Sequence, residues 1–437
     1  MAGGRDTCVG VWTGNERQEI VQLKQVMTRS SAGGRAINED AVLHMAAVPL
    51  LAVADGMGGA NCGDVAAEIA FDCLRLHRSF LREECGRINT QRTSRSRLNV
   101  HLLLEVAFKL AHANISQQAQ DEQRRRMATT LLAVVVADDH AYISHVGNCR
   151  GYVMRGGTLH TITQDHTVAA ARRSFQQVAI NAAEERRLLQ VLGSGSVDVD
   201  LAEVPLADDD VLLLCTDGLT QPLTDEQIQA LISPDDLEGS ADALLAAAEE
   251  NGSDNVAFAL AKVGSGQARD TVEDVAELMR SVFLFSALST AERYLLAPFL
   301  EERSYQTGDV IIREGIMGAE FYVIIEGTVR ITRDDVHLVD VGAGGHLGEL
   351  TLARPGLRSA TVTAVEPVRV YALSRERFLQ VTERRPALGA QLSMALLDTV
   401  GERLRDLTDW LAKTEQLVQS APEDTGAILA AIRGHKD

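Results

Sequence analysis

Two apolar runs lead directly into acidic turns. Leu50-Leu51-Ala52-Val53-Ala54 runs into Asp55-Gly56, and Val211-Leu212-Leu213-Leu214-Cys215 reaches Asp217-Gly218 after one threonine. Short apolar runs bounded by turn residues read as buried strands, so each sets a carboxylate at a strand end. The glycine that follows lets the backbone turn tightly and offers its carbonyl to a ligand. Asn38-Glu39-Asp40 and Gly252-Ser253-Asp254-Asn255 place further acids at turns. Hard oxygen ligands gathered from distant strand ends are what Mg²⁺ or Mn²⁺ requires, and two such ions can assemble a hydrolytic water. A fold that gathers these acids must bury its strands around them.

Leu131 to Val136 and Ala141 to Val146 add two more strands of the same kind, and Val65, Ile69, Cys73, Leu76 and Phe80 recur at helical spacing after the Asp55 loop. The basic stretches Arg87 to Arg97 and Arg124 to Arg126 read as a solvated loop and a helix end, with a phosphoprotein-docking surface as the alternative. At 437 residues the chain exceeds one ordinary domain, and Gly264-Ser265-Gly266-Gln267 is the natural break. The expected division is an extension over 1–21, a first domain over 22–263, a linker over 264–280, a second domain over 281–415 and a tail over 416–437. A formal net charge of −19 argues against nucleic acid and anionic membranes as partners. No apolar run is long enough to span a bilayer, and Met1-Ala2-Gly3-Gly4-Arg5 does not open a secretory signal. Six dispersed cysteines without a Cys-x-x-Cys pair argue against zinc sites and disulfides, so a cytoplasmic location is expected.

The four acidic segments, in this order and with Arg35 three residues before Asn38, resemble the metal-dependent protein phosphatases (PPM family, type 2C) over residues 28–263. The resemblance implies an α-β-β-α sandwich of two antiparallel sheets flanked by helices. It implies that Asp55 bridges two Mn²⁺ or Mg²⁺ ions, with Glu39 and the Gly56 carbonyl completing one site and Asp217 and Asp254 the other. Asp40 would orient the attacking water, and the planar fork of Arg35 would grip the substrate phosphate. The implied chemistry is direct attack of metal-activated water on phosphoserine or phosphothreonine proteins, without a phosphoenzyme.

Two positions depart from that family. Gly147-Asn148-Cys149-Arg150 stands where many relatives read Gly-Asp-Ser-Arg, and Gln221 stands where relatives often carry an acid. Both positions belong to a third, weaker metal site in that family, so the resemblance implies a third ion that is weak or absent here. Met57, where some relatives place histidine, reads as packing, and Met127-Ala128-Thr129-Thr130 replaces a glycine-threonine-threonine element.

Beyond the break, glycines 308, 315, 318, 327, 342 and 348 punctuate short strands as in a small β-barrel or jelly roll. Gly348-Glu349-Leu350 followed by Arg358-Ser359-Ala360 resembles the cyclic-nucleotide-binding domain, in the form seen in its catabolite-activator branch. That likeness assigns Glu349 to a ribose hydroxyl, and Arg358, Ser359 and the Ala360 backbone to the cyclic phosphate. It favours cAMP over cGMP and places Thr399 near the purine. The apolar stripe from Leu388 to Leu411 packs on the barrel or pairs two subunits through the 386–411 helix. Together the two resemblances imply a bacterial-type Ser/Thr phosphatase regulated by cyclic nucleotide, with Ser/Thr kinases among the partners to be expected. The alternative is a weak or inactive phosphatase-fold adaptor carrying a nucleotide sensor.

Overall fold

The structure is a computed structural model that describes residues 22–58, 62–91, 94–173, 187–264, 279–280, 282–398, 400–401, 405 and 408. The expected extension over 1–21, most of the linker, the 416–437 tail and Thr399 lie outside the described residues.

Eleven strands of the first domain form two antiparallel sheets. One holds β2 (Asp40–Met45), β3 (Leu50–Met57), β5 (Leu131–Ala137), β6 (His140–Val146) and β9 (Asp200–Pro205) in that order, with the short β4 (Ala128–Thr129) paired to β3. The other runs β1 (Gln22–Ser31), β11 (Val256–Gly264), β10 (Val211–Cys215), β7 (Arg150–Arg155), β8 (Thr158–Thr161). The apolar runs are continuous because both faces of each sheet are covered. On β3, Leu50, Ala52 and Ala54 face helices α1 (Gly63–Leu76), α2 (Arg78–Gln91) and α3 (Ser94–Gln118), while Leu51 and Val53 face the second sheet. On β10 the alternation repeats: Leu212 and Leu214 enter the inter-sheet core, and Val211, Leu213 and Cys215 pack on helices Asp225–Leu231 and Leu237–Asn251. The result is the expected four-layer sandwich.

Two sequence expectations need correction. The helix after the Asp55 loop exists and buries Cys73, with Val65 and Ile69 packed partly buried on the same core, but it ends at Leu76, and its buried face also holds Ala66, Ala67, Ala70, Phe71 and Leu74. Leu76 and Phe80 are exposed. Close packing of α1 on α3 and the sheet places alanines beside Phe71 and Leu74 at the contact, so the apolar stripe from Val65 to Phe80 marks only part of the face. Arg87 and Arg97 are not in a loop either: Arg87 lies in α2, pairing Glu83 and Glu84, and Arg97 lies in α3, pairing Glu203.

The second domain builds two four-stranded antiparallel sheets around a core that includes Ile312, Tyr322, Ile324, Val329 and Val370. Phe321 and Val323, alternating with those residues, face outward onto Phe285, Phe378, Leu388, Leu392 and Leu396. The first half of the leucine stripe therefore packs on the barrel. Its lead-in helix, Thr290–Leu296, lies along edge strand β9, and Tyr294 and Leu295 join the inter-sheet core of the first domain. A covered edge cannot template pairing with another chain. Glu292 adds polar contacts, accepting from Gln164 at 3.4 Å and Gln391 at 3.1 Å. No helix among the described residues is long and apolar enough to cross a membrane.

Shared apolar surface couples the stability of the two domains. Leu295→Ala is expected to destabilise the fold by about 2–5 kcal/mol and to lower the phosphatase-domain melting temperature in calorimetry. Unchanged melting of that domain would show that Leu295 is no part of its core.

Candidate active site

Asp55 and Asp40 are direct cross-strand partners at the same end of β3 and β2. Asp217 opens a one-turn helix just beyond β10, and Asp254 lies in the loop that enters β11. Because β10 and β11 are neighbours in the other sheet, two acids come from each sheet and meet across the seam of the sandwich. Backbone bonds hold the arrangement. Asp55 donates its N–H to Thr130 Oγ1 at 3.1 Å, and its carbonyl accepts from the Thr130 N–H at 2.9 Å and from Thr129 Oγ1 at 2.9 Å. The threonine pair thus fixes the strand end that carries Asp55.

Glu39 reaches the same spot through a close backbone approach. Its Oε1 accepts the Gly63 N–H at 2.8 Å, and its carbonyl accepts the Gly56 N–H at 3.1 Å. A Cβ on Gly56 would strike the Gly63 carbonyl, and one on Gly63 would strike the Gly56 carbonyl carbon. Both glycines are therefore required by contact rather than by turn geometry. Asn255 ties the loops together: Oδ1 accepts the Glu39 N–H at 2.9 Å while Nδ2 donates to the Ala32 and Ile37 carbonyls at 2.9 Å each. Arg35, largely exposed at the rim, pairs with Asp254 at 3.0 Å. Met57 is half-buried at the end of β3, opposite Ala128.

Electrostatics report how close the carboxylates are. Burial, then the Asp217 and Asp254 charges, push the Asp40 carboxyl up to about 7 against hydrogen bonds from Thr216 and Asp55. Burial, followed by Asp40, Asp217 and Asp254, raises Asp55 well above the usual carboxylate range. Asp217 is raised by burial and opposed by two amides: Gln221 Nε2 and Asn148 Nδ2 donate to its Oδ2 at 2.7 and 2.9 Å. The residues that depart from the family pattern thus cap one oxygen of Asp217. Asp40 Oδ2 and Asn148 Oδ1 are buried without a hydrogen-bond partner. Crowded, mutually repelling acids with an orphaned oxygen fit divalent cations, which supply the missing positive charge.

The sequence reading passed over Asn255, Gly63 and the capping role of Asn148 and Gln221. Asn255 adjoins Asp254 and could have been singled out; Gly63 could not, because its role appears only when two loops touch.

In the second domain, Arg358 folds inward. It donates from Nη2 to the Glu320 carbonyl at 2.8 Å, and its Cζ lies 5.9 Å from the centroid of the Tyr322 ring. Gly348, at φ +77°, leaves room for the guanidinium, since a Cβ there would meet Nη1. Burial lowers the Arg358 guanidinium, opposed by Tyr322, Glu320 and Glu349, and its Nη1 is buried without a partner. A half-buried cation with a free, buried donor atom fits an anionic phosphate. Glu349 is buried beside it, Leu350 and Ser359 are exposed, and Ala360 is half-buried. A cavity of about 480 Å³ lined by Ile312, Ile316, Gly318, Tyr322 and Arg358 opens on this side.

Two family patterns match this chain. The protein phosphatase 2C pattern matches residues 29–262, and the cyclic nucleotide-binding domain pattern matches residues 302–385. The serine/threonine phosphatase stp of Listeria welshimeri is 31% identical over 220 residues, covering 48% of this chain and 83% of that protein. Protein phosphatase PhpP of Streptococcus pneumoniae is 28% identical over 244 residues, covering 54% of this chain and 95% of that one. The crystal structure of Mycobacterium tuberculosis serine/threonine phosphatase PstP/Ppp, at 28% identity, superposes with a TM-score of 0.49 over 56% of this chain and 99% of that one. The chain belongs to the protein phosphatase 2C family, as a serine/threonine phosphatase joined to a cyclic nucleotide-binding domain.

Freed of divalent cations, the protein is expected to lose thermal stability as pH rises from about 5 to 8. Its raised carboxyls bind protons more tightly folded than unfolded, so stability falls as pH climbs through their folded-state values. Added Mn²⁺ offsets that repulsion and should raise the melting temperature more at the upper pH than at the lower. A Mn²⁺ effect independent of pH would contradict this.

Proposed function

We propose that this chain hydrolyses phosphoserine and phosphothreonine in proteins by direct attack of water at a site for two Mn²⁺ or Mg²⁺ ions, under control of a cyclic nucleotide, cAMP before cGMP. The observation that carries the reading is the meeting of Asp40, Asp55, Asp217 and Asp254 from two sheets, each of the first three raised in part by its neighbours' charge. Glu39, Asp55 and the Gly56 carbonyl would hold one ion, and Asp55, Asp217 and Asp254 the other. When bound, such ions make water acidic and neutralise charge on a loose phosphoryl transition state.

The chain's own residues do the rest. Asp40, buried with one oxygen free, orients the attacking water. Arg35 sits at the rim, where its fork can exchange Asp254 for two phosphate oxygens. Asn148 and Gln221 take up Asp217 Oδ2 with neutral amides, which supports a third ion that is weak or absent. In the sensor, the free Nη1 of Arg358 supports binding of the cyclic phosphate, with Glu349 at the ribose.

Hydrolysis of a phosphothreonine peptide in Mn²⁺ tests the reading. Asp217→Ala should cost at least about a hundredfold in kcat/KM, since a catalytic cation is worth several kcal/mol. Saturating cAMP should change the wild-type rate by about 5- to 150-fold, the range for a coupling of roughly 1–3 kcal/mol. Identical kinetics with and without cAMP and cGMP would remove the regulatory part. Mn²⁺ binding without hydrolysis would favour an adaptor.

A further inference from the structure

The last residue matched to the sensor, Arg385, does not stay in its own domain. It occupies the non-helical break, at φ −133° and ψ 75°, between helix Arg375–Arg384 and the helical stretch 386–398. From there its guanidinium enters the phosphatase domain. Nη1 pairs with Asp200, and Nη2 donates to the Val199 carbonyl at 3.3 Å. Both side chains of the pair are almost wholly buried. Burial alone would raise the Asp200 carboxyl, but Arg385 and then His166 outweigh it and keep it ionised.

Asp200 has a second partner that leads toward the metal-binding acids. His166 Nε2 lies 3.1 Å from Asp200 Oδ1. His166 Nδ1 accepts the Gly147 N–H at 3.3 Å, and the His166 N–H donates to the Gly147 carbonyl at 2.6 Å. The next residue is Asn148, whose amide donates to Asp217 Oδ2 at 2.9 Å. Two donor–acceptor links thus clamp Gly147 from one side while Asn148 holds Asp217 from the other. His145, the cross-strand partner of Asp200, closes the cluster, its ring centroid 4.9 Å from that of His166.

The ligating atoms of His145, His166 and Asp200 lie within 4.8 Å of one another, a spacing that also suits a metal ion. The hydrogen bonds decide against it. With Nδ1 accepting from Gly147, a proton on Nε2 faces Asp200 and leaves no lone pair there for a metal. Arg385 already supplies the positive charge that Asp200 needs.

We propose that Arg385 is a positioning residue of the phosphatase centre, holding Asn148 against Asp217 through Asp200, His166 and Gly147. This rests on the reading of Asp217 as a cation ligand given above. Through this contact the sensor domain supports the active site even without nucleotide, and any change at the 384–386 break reaches Asp217.

The test is Mn²⁺ binding by calorimetry on the full chain, with phosphothreonine-peptide hydrolysis alongside. Arg385→Gln should weaken Mn²⁺ binding about fivefold or more, within the range of inter-site couplings, and raise the Mn²⁺ needed for half-maximal rate by the same factor. Arg385→Lys, which keeps the charge but loses the fork, should fall between. Asn148→Ala should weaken Mn²⁺ comparably, and the double variant should be no worse than the larger single one, because both break one chain of contacts. Arg330→Gln, which removes an exposed ion pair with Asp340 in the same domain, should leave binding unchanged. Additive effects of the two variants, or wild-type Mn²⁺ affinity in folded Arg385→Gln or Arg385→Lys, would overturn the proposal alone. A wild-type chain that binds no Mn²⁺ would sink both this proposal and the metal-site reading.

Discussion

Like charges forced together at the seam of two sheets are the constraint on which the rest of this structure depends. Asp40 and Asp55 arrive on β2 and β3, Asp217 and Asp254 on the far sheet, and burial makes their mutual repulsion strong. Such a cluster survives only if the scaffold is stiff enough to hold it and if positive charge can enter. The sandwich provides the first. Each sheet is buried on both faces, so its strand ends cannot splay without opening two cores at once. The loops carrying Glu39 and Asp254 are tied by Asn255 to the same backbone.

Much of this was legible in the amino-acid order, for a definite reason. Strands buried on both faces leave continuous apolar runs, and Val211–Cys215 begins and ends in the structure where its run begins and ends in the sequence. Asp55 and Asp217 were legible because they follow such runs and precede glycine. The face of α1 was legible only in part, since Ala66, Ala67 and Ala70 share it with Phe71, Cys73 and Leu74. The helices through Arg87 and Arg97 were not legible, since arginines paired with Glu83, Glu84 and Glu203 look the same in sequence as solvated ones. Long-range pairings escape sequence reading altogether. Gly63 beneath Glu39, and Arg385 on Asp200 across 185 positions, exist only once the chain is folded.

The second domain is not a tethered passenger. Tyr294 and Leu295 complete the inter-sheet core, and Arg385 is buried against the start of β9. The domains thus meet through apolar side chains and through the Arg385–Asp200 ion pair. Since β9 belongs to the sheet that carries Asp40 and Asp55, the same strand serves as docking edge and as support for the acidic cluster.

Anomalous diffraction at the manganese edge, from crystals of the full chain grown with Mn²⁺, addresses the central claim most directly. The account predicts two manganese peaks flanking the Asp55 carboxylate, one within coordinating distance of Glu39 and the Gly56 carbonyl, the other of Asp217 and Asp254. A single peak away from Asp55, or none at saturating Mn²⁺, would contradict it.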